Sequence, residues 1–142
     1  MKEISAEEGL VAEAYERKYS NWSRVHQIAK LYLFTPASGS FLAPLAMTDG
    51  AAKVIESLGI PKSLEEAYAR LTSREPGRFW TSGQWMTERK GGSDVVFQAH
   101  SCLCFSIFPQ ISAEGRGVAS IANMLTITRV HNAIHAAAVM RR

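Results

Sequence analysis

Residues 84–95 read QWMTERKGGSDV, and no other segment of the chain carries so specific a pattern. The segment begins aromatic and β-prone, and Gly91 and Gly92 then interrupt it as a tight turn would. A glycine pair alone indicates only a surface strand followed by a turn. The string MTERKGGSDV says more, because a motif gains weight with every residue type that is held at a fixed spacing.

Two further segments flank this motif. Residues 44–56 read PLAMTDGAAKVIE and belong to a helix predicted over residues 41–58, a pattern stronger than the hairpin turn that Asp49 and Gly50 alone would suggest. Gly50 costs this helix about 1 kcal/mol relative to alanine, which indicates a packing reason for it. Residues 122–142 read ANMLTITRVHNAIHAAAVMRR, in a helix predicted over residues 118–140. Its predicted inner stripe consists of Ile121, Leu125, Ala133 and Ala137.

The rest of the N-terminal part is also predicted to be helical. Ser5 with Glu8 has the spacing of a capping box, and a second box, Ser63 with Glu66, opens a short helix. Between them, a helix over residues 22–34 ends in a turn that contains Pro36. Residues 79–86 and 95–111 are aromatic or β-branched, so a mainly α chain with a short β segment is expected.

The three quoted segments together resemble the acyl-CoA dehydrogenase family, most closely its large branch with the adaptive-response (DNA alkylation) dehydrogenase homologue. MTERKGGSDV is similar to the flavin signature of that family, and residues 44–56 are similar to the helix before it. Residues 122–142 are similar to the first long helix of its C-terminal domain. The resemblance implies three parts. Residues 1–78 would end the N-terminal helical domain, residues 79–112 would be a short remnant of the middle β-domain, and residues 113–142 would begin the C-terminal helical domain.

The resemblance also implies a function in fatty acid metabolism, as an oxidoreductase that uses FAD for α,β-dehydrogenation of an acyl-CoA. Carried over by position, Met86 and Thr87 would face the isoalloxazine, because alternation along a strand aims one side chain at the ring. Gly91 and Gly92 would form the turn, and Ser93 would contact flavin or CoA phosphates.

Two parts of the family's active site are expected to be missing from this chain: most strands of the β-domain and the catalytic glutamate. Only residues 96–112 separate the signature from the C-terminal helix, room for two strands of about 5–6 residues. We interpret this segment as a junction left by skipped exons, a retained intron or gene decay. The family's catalytic glutamate lies near the end of its last domain or, in the isovaleryl- and long-chain-like branches, just before the arginine of this helix. That arginine is Arg129, and Thr128 before it is no base near neutral pH. No catalytic residue is therefore assigned, and little or no activity is expected.

A metal site is the main rival prediction. His131 and His135 are spaced i, i+4 on one helix, and His100, Cys102 and Cys104 could add ligands. However, Cys-x-Cys is not a usual zinc spacing, and the helix lacks the glutamate of the metalloprotease motif. The simpler interpretation is two polar helix positions and a pair of buried thiols, so no metal is predicted.

The alternative function is non-enzymatic. Helices whose apolar stripes have lost their bundle partners self-associate, which would make a homo-oligomer. A third option is a small-molecule cyclase or binding protein that uses the shortened cleft as its pocket. The net charge is only +3 and the basic residues are scattered, which argues against nucleic acid. No apolar run approaches the ~20 residues that cross a bilayer, and no targeting signal is seen. A cytoplasmic protein without membrane partners is expected.

Overall fold

The computed structural model describes residues 1–84 and 122–141, and within these ranges all regular secondary structure is helical. Six α-helices follow one another: α1 Lys2–Glu7, α2 Ala12–Glu16, α3 Ser23–Ser38, α4 Leu42–Ser57, α5 Glu65–Leu71 and α6 Ala122–Met140. Single 3-10 turns lie at Ser20–Trp22, Gly39–Phe41 and Lys62–Leu64. The predicted mainly α class is confirmed. Residues 79–84 of the predicted β remnant have no regular secondary structure, and the remainder lies outside the described residues.

Helices α3, α4 and α6 form the centre of the fold. Helix α6 packs along both α4 and α3, while α2 covers α3 and α5 covers α4. None of the helices in the described ranges is both long and apolar enough to span a bilayer. The main core contains Leu10, Val11, Leu31, Leu45, Phe79 and Ile134, and a smaller cluster under α5 contains Ala52, Ile55 and Leu71.

The close approach of α4 to α6 depends on Gly50. A Cβ atom placed on this residue would lie 2.4 Å from Cγ of Met124, 3.2 Å from its Cβ and 3.3 Å from its Cα. Atoms this near the backbone of α6 cannot move aside unless the helix moves with them. The packing reason predicted for this glycine is confirmed.

Helix α3 is longer than predicted. The predicted turn around Pro36 is wrong, because the helix continues through this proline to Ser38. Two hydroxyls bind backbone carbonyls in this last turn: Thr35 donates to Leu31 at 2.6 Å and Ser38 donates to Thr35 at 2.9 Å. Pro36 has no N–H to donate to the carbonyl of the preceding turn, and the helix ends two residues after it.

Both predicted capping boxes are wrong. Ser5 lies buried inside α1, where its hydroxyl donates to the carbonyl oxygen of Met1 at 2.8 Å. Ser63 lies in the 3-10 turn Lys62–Leu64 and makes no side-chain hydrogen bond that caps α5. The short helix itself is present, so the pattern located the element but not the means by which it begins.

The predicted inner stripe of α6 is displaced by one residue. Ala133 and Ala137 are exposed, and the buried positions are His131, Ile134 and Ala138. Of the other two predicted positions, Leu125 is half-buried and Ile121 lies outside the described residues. An apolar pattern selects the alanines of this helix and passes over the histidine, which is buried because a charged partner faces it.

Candidate functional site

A cluster of polar side chains lies where α2, α3, α4 and α6 meet. Asp49 of α4 is at its centre and is 0% exposed. Nη1 of Arg24 donates to both carboxylate oxygens at 2.7 Å, and the hydroxyl of Tyr15 donates to Oδ1 at 2.6 Å. Nε2 of Gln27 donates to Oδ2 at 3.1 Å, and Nε2 of His131 lies 2.9 Å from the same oxygen. These five residues form the Asp49 cluster.

The backbone positions each member of this cluster. Arg24 and Gln27 stand i, i+3 on α3 and therefore face the same way, and Nη1 of Arg24 donates to Oε1 of Gln27 at 2.8 Å. Gln27 is itself fully buried and donates to the carbonyl oxygen of Leu10 at 2.8 Å. A buried carboxylate is tolerated only when its oxygens are paired, and four donors pair those of Asp49. The cluster therefore fastens α6 to the N-terminal helices.

The charges of the cluster are set by burial and by these contacts. Burial alone would raise the pKa of Asp49, but the hydrogen bond from His131 and the charge of Arg24 together hold this pKa below its usual value. Burial raises the pKa of Tyr15 well above its ordinary value, and the neighbouring Asp49 raises it further. At neutral pH, Asp49 is thus a carboxylate and Tyr15 is a neutral phenol that donates to it.

His131 also lines a cavity outside the Asp49 cluster. A carboxylate only accepts hydrogen bonds, so Nε2 of His131 carries the hydrogen in its contact with Asp49. The other ring nitrogen, Nδ1, is buried and has no hydrogen-bond partner in the part of the chain that the structure describes. Among the described residues, the imidazole is therefore oriented by Asp49 and its Nδ1 atom has no partner.

A cavity of about 490 Å³ lies beside this ring, between the end of α3, the start of α4 and the later turns of α6. Its floor is buried and its rim is exposed. The floor consists of Thr35, Leu42, Ala46 and His131, and the rim includes Ser40, Ala43, Asn132, His135 and Val139.

A more open groove of about 570 Å³ runs between α3 and α6 on another face. It is lined almost wholly by apolar side chains, including Val25, Ile28, Tyr32, Leu33, Ile134 and Ala137. We call it the α3–α6 groove.

A second ionic cluster ties the segment after α5 to α2. Arg74 donates to Glu16 through Nε at 2.6 Å and through Nη2 at 2.7 Å, and to Glu13 through Nη2 at 3.0 Å. The hydrogen bond from Arg74 lowers the pKa of Glu16. The cluster holds this segment in place and lines none of the cavities described above.

The predicted cofactor residues Met86, Thr87, Gly91, Gly92 and Ser93 lie outside the described residues. The first residue of the motif, Gln84, is described. Its backbone N–H donates to Sδ of Met47 at 3.2 Å, and its side-chain amide donates to Sδ of Met124 at 2.7 Å. The motif therefore begins at the junction of α4 and α6, beside Gly50.

The rival metal site gains no support from the contacts of His131, since its Nε2 is bound to Asp49. Within residues 1–84 and 122–141, no group of three or more His, Cys, Asp or Glu side chains could hold a metal ion. His100, Cys102 and Cys104 lie outside these ranges. The hydroxyl of Thr128 donates to the carbonyl oxygen of Leu125 at 3.0 Å.

Sequence reasoning missed the Asp49 cluster. The sequence pattern suggests only a turn at Asp49, and only a metal ligand or a polar helix position at His131. In the structure, His131 is 3% exposed. A signal for the cluster was nevertheless present in the sequence. Asp49 lies inside an apolar helix, His131 inside an alanine-rich helix, and Arg24 on a third helix. Charged residues on apolar faces need partners, so these three could be expected to pair.

No family model matches the chain. It is 33% identical to acyl-CoA dehydrogenase family member 11 of Caenorhabditis elegans over 229 residues, a match that covers 100% of this chain and 37% of that protein. Its structure resembles the crystal structure of Caenorhabditis elegans ACDH-11 in complex with C11-CoA, with a TM-score of 0.85 and 31% identity over 99% of this chain and 38% of that one. The apo form of Bd2924 gives a TM-score of 0.62 and 52% identity over 67% of this chain and 19% of that one.

The chain thus spans little more than a third of the relatives that it matches from end to end. The aligned part of the curated relative has 229 residues and this chain has 142, so at least 87 positions of that part have no counterpart here. The likeness nevertheless extends over the whole chain and agrees in sequence and in structure. The chain belongs to the acyl-CoA dehydrogenase family.

Proposed function

We propose that this chain is an acyl-CoA dehydrogenase-like protein that binds an acyl-CoA on its helical scaffold and has little or no dehydrogenase activity by itself. The observation that carries this proposal is the match of 99% of the chain, at a TM-score of 0.85, to a family structure solved with C11-CoA. By descent, the reaction is the FAD-dependent α,β-dehydrogenation of an acyl-CoA, and the cellular context is fatty acid metabolism in the cytoplasm.

We assign the flavin contacts to the motif residues named by resemblance. Met86 and Thr87 would face the isoalloxazine, Gly91 and Gly92 would form the turn, and Ser93 would contact phosphates. The contacts of Gln84 with both α4 and α6 support this assignment, because they place the first residue of the motif where two long helices meet.

The proposal of low activity rests on three observations. Helix α6, on which one branch of the family carries its glutamate, contains no acidic residue. The buried acid that contacts α6 is Asp49. Its pKa is lowered and it accepts hydrogen bonds from four donors, which makes it a poor acceptor for a substrate proton. In addition, at least 87 positions in the aligned part of the curated relative have no counterpart in this chain. In this proposal they include most of the β-domain expected at residues 79–112.

Calorimetric titration of the whole chain with undecanoyl-CoA tests the binding half of the proposal. We expect saturable binding that free CoA and free undecanoate do not reproduce at the same concentrations. Heats no larger than those of free CoA would contradict it.

Self-association through the α3–α6 groove is the second candidate function. On the α3 side of this groove, Val25 is 53% exposed and Leu33 is 66% exposed. Apolar side chains that line one continuous groove indicate an interaction surface rather than scattered surface residues.

Sedimentation velocity of the wild type and of Leu33→Glu tests this candidate. We expect a concentration-dependent oligomer in the wild type and a monomer in the variant. Leu58→Glu is the matched control, since Leu58 is another exposed leucine and lies outside the groove. A wild-type monomer at all concentrations would rule the oligomer out.

A further inference from the structure

We propose that the α3–α6 groove is a docking site for an amphipathic helix of another protein, whose apolar face fills the groove and whose flanking residues are acidic. The proposal goes beyond self-association, because the occupant is a chain of opposite charge and not a second copy. It does not rest on acyl-CoA binding. Three features of the groove support it: its apolar walls, its shape and the charges at its two ends.

The walls of the groove present exposed apolar side chains at helical spacing. On α3, these are Val25, Ala29 and Leu33, which follow one another at intervals of four residues. On α6, they are Ala133 and Ala137, which stand at the same interval. Residues four apart lie on one face of a helix, so each wall is a continuous apolar stripe.

The shape of the groove suits a helix. Its α3 wall, from Val25 to Leu33, is about 12 Å long at 1.5 Å per residue, which is about two helical turns. An amphipathic helix lays its apolar face into a hydrophobic groove of this kind through residues at i, i+3, i+4 and i+7. The small side chains of Ala133 and Ala137 leave room for the larger side chains of such a helix.

Two arginines stand at the ends of the α6 wall. Arg129 lies four residues before Ala133 and Arg141 lies four residues after Ala137, so both share the face of α6 that lines the groove. The backbone N–H of Arg141 donates to the carbonyl oxygen of Ala137 at 3.3 Å, which continues the helical turn. Its guanidinium lies 5.4 Å from the ring centroid of Tyr32, another residue of the groove. The two arginines are about 18 Å apart along the helix axis.

The charge of these arginines is not compensated within residues 1–84 and 122–141. Helices α3 and α6 contain no acidic residue, and the arginine and the lysine of α3 are paired with acids of other elements. Arg129 and Arg141 form no ion pair with a residue in these ranges. A second copy of this chain would bring the same arginines to the contact, where like charges repel. The partner that suits the groove therefore carries acidic residues beside its apolar face.

Two labelled synthetic peptides of three heptads test the proposal on the unmodified chain. Both have leucine at the i, i+3, i+4 and i+7 positions of each repeat, and the remaining positions carry glutamate in one peptide and lysine in the other. In fluorescence polarisation, we expect the glutamate peptide to bind at least about tenfold tighter at low salt, and the difference to shrink as salt is added. Equal affinities, tighter binding of the lysine peptide or no binding of the glutamate peptide would overturn the proposal.

Charge variants test whether the acidic residues meet the ends of the groove. Arg129→Gln combined with Arg141→Gln should reduce the difference between the two peptides at least about threefold. Arg17→Gln combined with Arg78→Gln is the matched control, because it removes the same charge from exposed residues outside the groove, and it should leave the difference unchanged. Equal effects of the two double variants would overturn the proposal.

An apolar variant and two rival occupants complete the test. Leu33→Gln should weaken the glutamate peptide about tenfold, whereas Leu58→Gln, outside the groove, should not. Unweakened binding in Leu33→Gln would overturn the proposal. Binding to vesicles of phosphatidylcholine and phosphatidylserine in equal parts, without binding of the peptide, would overturn it in favour of a membrane surface. A wild-type oligomer that the glutamate peptide does not dissociate would overturn it in favour of a second copy. The titration with undecanoyl-CoA uses neither peptide, so either proposal can fail alone.

Discussion

Replacing Asp49 by asparagine tests how the helices are held together. The substitution keeps the size of the side chain but removes its negative charge, and it puts an NH₂ group where one oxygen accepted hydrogen bonds. Arg24, with an Nη1 atom 2.7 Å from both oxygens, would then lie beside a neutral amide, and no other acid among the described residues is in contact with it. The contact with His131 at 2.9 Å would be lost or reversed.

The magnitude follows from burial. Removing one partner of a buried charge pair typically costs about 3–5 kcal/mol, because the remaining charge is left uncompensated. Part of the Arg24 side chain reaches solvent, with 32% exposed, so we expect a loss at the lower end, about 3 kcal/mol. A domain of typical stability, about 5–15 kcal/mol, would still fold after this loss.

Urea unfolding followed by far-UV circular dichroism measures the effect. Glu66→Gln is the matched control, because it makes the same change from carboxylate to amide in an exposed pair with Arg70 at 2.8 Å. The control should leave the unfolding midpoint close to that of the wild type, since exposed pairs contribute little. If Asp49→Asn and Glu66→Gln were equally stable, the reasoning about the Asp49 cluster would be refuted.

Three further predictions concern the α4–α6 contact and pH. Gly50→Ala should lower the free energy of unfolding by up to about 2 kcal/mol, because overpacking costs about 1–3 kcal/mol and the gain in helix propensity is only about 1 kcal/mol. Gly77→Ala is the control and should be neutral, since a Cβ at Gly77 would meet no atom within 4 Å. A stabilised Gly50→Ala variant would contradict the close contact between α4 and α6. Because the folded-state pKa of Tyr15 is raised, its contribution to stability is complete below the usual tyrosine pKa of about 10 and is lost as pH rises above it. Urea midpoints should therefore fall more steeply in the wild type than in Tyr15→Phe, and parallel curves would contradict this. Asp49 acts in the opposite sense. Because its folded-state pKa is lowered, it stabilises the fold above the usual pKa of 3.8, and this stabilisation is lost as pH falls through the folded-state pKa. The stability of Asp49→Asn should not show this decrease at acidic pH.

The sequence pattern predicted the elements better than their contacts. Helix α4 was expected over residues 41–58 and is Leu42–Ser57, because apolar periodicity and Gly59 mark it locally. The packing role of Gly50 could also be predicted, since a glycine inside a helix is unfavourable unless space requires it. Pro36 was misread because proline usually ends a helix, and only the hydroxyls around it and the following turn reveal why this helix continues.

The Asp49 cluster could not be predicted in the same way. Its members come from four helices, and residues 49 and 131 are far apart in the chain, so the pairing depends on tertiary packing. The face of α6 was misplaced for the same reason, because apolar periodicity places His131 outside and its charged partner places it inside. When a charged residue falls on the predicted apolar face of such a helix, a buried partner on another helix should therefore be expected.

The most direct test of the proposed function is an assay of acyl-CoA oxidation by the purified full chain. The assay supplies excess FAD and an artificial electron acceptor and uses undecanoyl-CoA as substrate, with the absorbance spectrum of the protein recorded after removal of free flavin. We predict a colourless protein and no reduction of the acceptor above the rate of a blank without protein. Flavin retained at one per chain together with substrate-dependent reduction of the acceptor would contradict the account.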